Sequence, residues 1–172
     1  NYLELYAGGA GVALDLLFNG LVSDIHINDF DPAVYNFWYS VINQTDDFLQ
    51  LVNDTHVNMD VWFAQREILR SPDGHSQLKK GFATFFMNRT NRSGILKGGV
   101  IGGLKQSGKW KLDERFNKAD LINRIKQIAL FREKIHVYNE DAQALLLRCN
   151  EFLPENSLIY LDPPYYVKGQ GL

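Results

Sequence analysis

Only one cysteine, Cys149, occurs in the 172 residues, which rules out a disulfide framework within the chain and points to a reducing compartment. Apolar runs are short. None is long enough to cross a membrane as a helix, and no signal peptide is visible. The four histidines, His26, His56, His75 and His136, are scattered, and with Cys149 they show no metal-ligand spacing, so no metal site is expected. A Gly-x-x-x-x-Gly-Lys-Ser/Thr loop is lacking, which argues against an ATPase-type phosphate cradle. Positive charge is missing from a whole third of the chain. No Lys or Arg precedes Arg66, while that region holds Glu4, Asp15, Asp24, Asp29, Asp31, Asp46, Asp47, Asp54 and Asp60.

What the first third lacks, the middle has in excess. From Lys79 to Lys118 ten cations face only Asp113 and Glu114. Gathered in a glycine-rich stretch, they read as the electrostatic footprint of a polyanion. A hydrophobic share of 45% supports a real core, and the length fits one domain or one domain with an insertion. The chain starts inside a strand-like segment without Met and stops soon after its most distinctive loop, so a fragment cut at both ends is expected.

Along the chain, Tyr2 to Tyr6 reads as a strand running into the turn Ala7-Gly8-Gly9-Ala10-Gly11, followed by a helix to Phe18. Strand, glycine turn and helix let a ligand approach the backbone at a helix N-terminus. Ile25 to Asn28 alternates as a second strand and ends at Asp29, twenty residues after Gly9. That is the spacing at which nucleotide-binding α/β units set an acid against ribose hydroxyls. A cation-free, acidic pocket suits a positively charged nucleoside such as S-adenosylmethionine better than a pyrophosphate; NAD stays open at this point, held by helix-end amides. Helices are predicted over Pro32 to Ile42, Asp46 to Val52, Asn58 to Arg70 and around Leu78 to Phe86. Arg92 to Trp110, rich in glycine and cations, predicts a hairpin or extended loop that orders on its partner. A helix from Lys118, a strand at Ile135 to Tyr138, and a short helix from Ala142 to Cys149 follow. Leu158 to Leu161 then reads as a short buried strand stopped by Asp162-Pro163-Pro164-Tyr165, since neither proline has an N–H for the ladder. The fold class is therefore α/β, a Rossmann-like parallel sheet with a mostly helical insertion.

Four pieces in this order, Tyr6 to Gly11, Asn28 to Asp31, Phe85 to Ile95 and Asp162 to Tyr165, resemble the Dam-type DNA adenine-N6 methyltransferases. The resemblance covers nearly the whole chain. It implies S-adenosylmethionine as cofactor, double-stranded DNA as partner, and a site-specific enzyme of the restriction-modification, orphan or phage kind. It further implies a monomer, without metal or membrane, in the cytoplasm of a bacterial or archaeal cell or encoded by a phage. Residues 1–54 would form the cofactor-binding half, 55–117 the DNA target-recognition module, and 118–172 the return to the sheet with the catalytic loop. By the same resemblance Tyr6, Ala7, Gly8, Gly9 and Gly11 would wrap the methionine part of the cofactor. Asp29 would hold its ribose, while Asp141 and Ala142 would sit by its adenine. Asp162, Pro163, Pro164 and Tyr165 would meet the target base, and Arg89, Arg92, Ser93, Lys97, Lys105, Lys109 and Lys111 the DNA. The family's Lys-bearing motif has no counterpart in these residues. Arg92 stands where relatives place an aromatic wedge, so their target sequence is not carried over. A methyltransferase for RNA or a protein amide, a non-enzymatic DNA-binding module, and a dinucleotide oxidoreductase remain as rivals. The fragment itself is expected to be inactive.

Overall fold

The computed structural model of the chain describes residues 1–163; Pro164 and Tyr165 lie outside the described residues. Among the described residues four strands, β1 (Tyr2–Glu4), β2 (Ile25–Asn28), β3 (Ile135–Tyr138) and β4 (Leu158–Tyr160), pair in the order β3-β2-β1-β4. All three pairings are parallel. Seven α-helices connect them: α1 (Gly11–Phe18), α2 (Pro32–Asn43), α3 (Thr45–Asp54), α4 (Met59–Arg70), α5 (Gln77–Thr90), α6 (Lys118–Ala129) and α7 (Ala142–Leu147).

The period-two alternation of the strands sorts the side chains onto two faces. Tyr2, Ile25, Ile27 and Ile135 join the large core beneath α1 to α6, whereas Leu3 and Leu5 pack with Leu145 of α7 on the other side. This placement follows from right-handed crossovers. The chain winds outward from β1 to β3 and then returns past β2 and β1 to reach β4. The winding therefore reverses between β1 and β4, and a crevice opens at that switch point in such sheets.

Helix starts follow the sequence closely. Asp31 caps α2 by accepting from Ala33 N at 2.8 Å, with Pro32 as first residue; Asn58 caps α4 through Val61 N at 2.9 Å. The inserted helices have no core of their own. Trp62, Phe82 and Phe86 belong to the same buried cluster as Ile25 and Ala13. Phe48 meets Phe85 edge to face at 5.5 Å, a preferred aromatic geometry.

Two segments differ from the sequence reading. β4 was expected to be buried, yet Leu158 is 59% exposed, because among the described residues it is the sheet's edge strand. An apolar run shows that a strand forms, not what covers it. The glycine-rich stretch is also more closed than expected. Arg92–Gly94 make a 3-10 turn, Asn91 bridges Val100 antiparallel, and Arg92 N donates to Gly99 O at 2.9 Å. Asn91 is fully buried and fastens this loop: its amide donates to Ile95 O and Leu96 O and accepts from Trp62 Nε1.

Candidate active site

Parallel strands all end at one edge, and here the strand tips form a row. From β3 to β4 the tips lead into Asp141, Asp29, the Tyr6–Gly11 turn and Asp162. With strands about 4.8 Å apart, the row spans roughly 15 Å.

The turn is built from backbone bonds. Ala7 N donates to Asn28 O at 2.8 Å, and Ala10 N donates to Ala7 O at 2.6 Å. Gly8 at φ +47 and Ala10 at φ +48 reverse the chain into α1. That conformation costs an L-residue about 1–2 kcal/mol, so Ala10 is held there by its surroundings. Trp38 Nε1 donates to Gly8 O at 2.9 Å and fixes the turn from α2. A Cβ at Gly8, Gly9 or Gly11 would meet nothing within 4 Å, so the backbone faces open space.

Asp29 closes the turn from β2. Its Oδ2 accepts from Gly8 N and its Oδ1 from Asp31 N, both at 2.9 Å. Burial raises its pKa, while these two bonds oppose the rise. Next to it, Asn28 is buried and fully engaged. Its amide donates to Leu5 O and Glu140 O and accepts from Glu140 N, which ties the tips of β1 and β3 together. Asn139 Nδ2 donates to Asp29 O at 2.8 Å. Glu140 is paired with Arg148. Asp141 is the N-cap of α7, its Oδ1 accepting from Gln143 N and Ala144 N, and Ala142 is half-buried behind it.

Asp162 lies beyond β4. Glu4 pairs with Tyr160 in register and Leu5 N donates to Tyr160 O at 3.3 Å, so Asp162 comes level with Tyr6 across the switch point. Both Asp162 and Pro163 are exposed. The Asp162 charge also reaches Glu4, a buried acid whose pKa is raised first by burial and then by that neighbour. The expected contributions of Pro164 and Tyr165 fall outside the described residues.

The structure brings the cofactor residues and Asp162 to one edge and sets the basic residues apart. Arg92, Ser93 and Lys97 are exposed on the 3-10 turn and its loop, and Lys105, Lys109 and Lys111 are exposed on the next one. Arg89 is half-buried instead. It lines a cavity of about 860 Å³ on the helical side, with Arg124, Phe85 and Phe131, that reaches Gly8 and Gly9. Burial, then Arg115 and Arg124, lower its pKa.

A family model described as D12 class N6 adenine-specific DNA methyltransferase matches residues 1–170. The chain belongs to that family. A comparison with curated proteins finds no match. A D12 class enzyme transfers a methyl group to adenine N6 in DNA, a reaction that takes a methyl donor and a base. Among the described residues no helix is long and apolar enough to cross a membrane, and no group of His, Cys, Asp and Glu could hold a metal ion.

The donor set fits a cationic nucleoside donor. The row carries Asp29, Asp141 and Asp162 beside an open glycine backbone, and Glu140, its further acid, is matched by Arg148. The sequence assigned no role to Asn28, Trp38 or Asn139, the residues that hold this row of strand tips together. Their partners are backbone atoms on other strands or distant turns, which leave no local pattern; a polar residue closing an apolar strand, as Asn28 closes β2, was the available signal.

Proposed function

We propose that this methyltransferase uses S-adenosylmethionine to methylate an extruded adenine at specific sites in double-stranded DNA. The observation that carries the reading is the order of groups along the sheet edge. Asp141, Asp29, the glycine turn and Asp162 follow one another as adenine, ribose, methionine tail and target base would along one bound donor and its acceptor. Ala142 would flank the adenine beside Asp141, and Phe30, 69% exposed next to Asp29, offers an aromatic face to the purine. Asp29 would bind ribose hydroxyls with the lone pairs that Gly8 and Asp31 leave free. Tyr6, Ala7, Gly8, Gly9 and Gly11 would line the methionine part.

When bound, S-adenosylmethionine supplies an electrophilic methyl group on a sulfonium. The protein's own part is positioning. Adenine N6 is a weak nucleophile because its lone pair is delocalised into the ring. Asp162 and the Pro163 carbonyl would each accept one N–H of the amine, favouring a pyramidal nitrogen whose lone pair points outward. Alignment then supplies most of the acceleration. The nitrogen's spare proton would leave through Asp162, whose exposure gives it a path to water. Pro164 would stiffen the loop and Tyr165 would stack on the base once it is flipped from the duplex.

Residues 55–117 would be the target-recognition module, with lysines on phosphates and Arg92, Ser93 or Lys97 near base edges. Arg89 would reach DNA from the cavity wall. The test is methyl transfer from labelled S-adenosylmethionine to duplex DNA, RNA and protein in parallel, with mapping of modified adenines. N6-methyladenine in the duplex is the expected product. Label in RNA or protein alone would overturn the reading.

A further inference from the structure

Three guanidiniums gather where the end of α5 meets α6, with one carboxylate among them. Arg89, in the last turn of α5, is half-buried, and the charges of Arg115 and Arg124 add to burial in lowering its pKa, while Asp120 opposes them. That acid is already engaged, since Arg124 Nε lies 3.2 Å from Asp120 Oδ2 one turn away on α6. Arg89 Nε is buried and has no hydrogen-bond partner among the described residues. A cation buried among like charges with an orphaned donor is unfavourable, and binding an anion relieves it.

The cluster opens onto the cavity of about 860 Å³, within the roughly 300–1,000 Å³ range of ligand clefts. Arg89 and Arg124 both line it, and no acid does among the described residues. Asn123 and Gln127, also in its wall, stand four residues apart on α6 with Arg124 between them, so one helix face carries a strip of polar donors. The remaining wall is largely apolar, as Phe85 and Ile125 show, which weakens the screening of charge there. The far end reaches Gly8 and Gly9. The acidic row of strand tips and this cationic cavity therefore meet at the glycine turn. Toward the module the cluster is continuous with the basic loops, because Arg115 Nη1 donates to Asn91 O at 3.4 Å and Asn91 bridges Val100. A polyanion lying on those loops arrives at the rim that Arg89 and Arg124 share. A strand whose adenine is drawn toward the glycine turn has to carry its backbone across that rim.

We propose that Arg124, on α6, joins Arg89 in seating one backbone phosphate beside the extruded adenosine, so that the DNA-binding surface extends beyond residues 55–117. This rests on the assignment of the basic module to DNA. Arg124 acts here on the substrate strand and not on the methyl donor.

The intact protein is tested with a target duplex in which a methylphosphonate replaces each phosphate in turn, removing one charge while leaving the bases in place. Native affinity should fall several-fold at a phosphate flanking the target adenine. Arg124→Gln should bind the unmodified duplex about tenfold more weakly, show no further loss at that position, and lower the salt slope by about one. Its KM for S-adenosylmethionine should match the native value. Arg124→Lys should recover the slope but only part of the affinity, because an ammonium cannot make the two-pronged contact. Failure of the native protein to bind DNA would defeat the DNA assignment of the module. DNA binding by Arg124→Gln with native affinity and slope would defeat this inference alone. A rise confined to the KM for S-adenosylmethionine would give the guanidinium to the donor's carboxylate, and heat protection by adenosine monophosphate that Arg124→Gln removes would give it to a free nucleotide; either overturns the inference. The Arg124 side chain is 67% exposed, so the substitution leaves the core intact. Should the variant unfold all the same, the scan on the native protein decides, and absence of a sensitive phosphate beside the adenine overturns the seat.

Discussion

Gly8 donates its N–H to a carboxylate twenty-one residues away, and this bond makes Asp29 both a brace for the turn and a candidate ligand group. Asp29→Ala should raise the KM for S-adenosylmethionine at least tenfold, since a hydrogen bond to a charged group is worth about 1.5–3 kcal/mol. The KM for DNA should stay within about twofold if the carboxylate serves only the cofactor, a split that steady-state kinetics would read. Asp29 was legible in the sequence because its distance from Gly9 is a local count. Trp38 and Asn28 were not, because the indole finds Gly8 O and the amide finds Leu5 O only after the strands align. Spacing marks candidate ligand groups more readily than residues that hold others in place.

Where α5 crosses α2, the contact depends on one absent side chain. A Cβ on Gly81 would lie 2.5 Å from Ser40 Oγ and would also meet the Asn36 backbone carbonyl. Gly81→Ala should therefore destabilise the fold by about 1–3 kcal/mol in urea unfolding, as overpacking usually does. Asn91→Ala should cost about 3 kcal/mol, since it leaves the buried Trp62 N–H and two loop carbonyls without their partner. Strands β2 and β3 carry a pH dependence. His26 is buried, stacked on His136 at 4.5 Å, and near Tyr138 Oη at 2.9 Å; burial, then the His136 charge, pushes its pKa down to about 4. In the unfolded chain His26 would take up a proton near pH 6.5, so the native state loses stability as pH falls from about 6.5 to 4, by up to roughly 3 kcal/mol, and gains nothing above that window. Glu4 and Asp29, whose pKa values are raised, act with opposite sign as pH falls toward the ordinary carboxylate range. The comparison to make is thus wild type against His26→Gln, whose unfolding free energy should fall less steeply across that window. Helices were legible from their apolar spacing, as α2 and α4 show. The exposure of β4 was not, since the same apolar residues suit a central or an edge strand.

Across the whole molecule, charge is segregated by task. Of the acids in the cation-free first third, Asp29 closes the turn at Gly8, while the cations from Lys79 to Lys118 lie on α5, at the start of α6 and on the loops between them. Neutralising Lys97 or Lys105 should lower the salt slope of DNA binding by about one each; unchanged slopes in both would take those loops off the DNA. The βαβ frame and the place of the insertion could be read from glycine turns and periodicity. The shared core could not, because nothing local marks Phe82 and Phe85 as packing on Phe37 and Phe48 of the sheet-covering helices. The most direct measurement is single-turnover methyl transfer by Asp162→Ala in the intact, active protein at saturating S-adenosylmethionine, with cofactor affinity measured on the same protein. Loss of transfer by at least a thousandfold, with cofactor affinity within about threefold of wild type, is the predicted result. Turnover near the native rate would show that the tip of β4 does not meet the adenine.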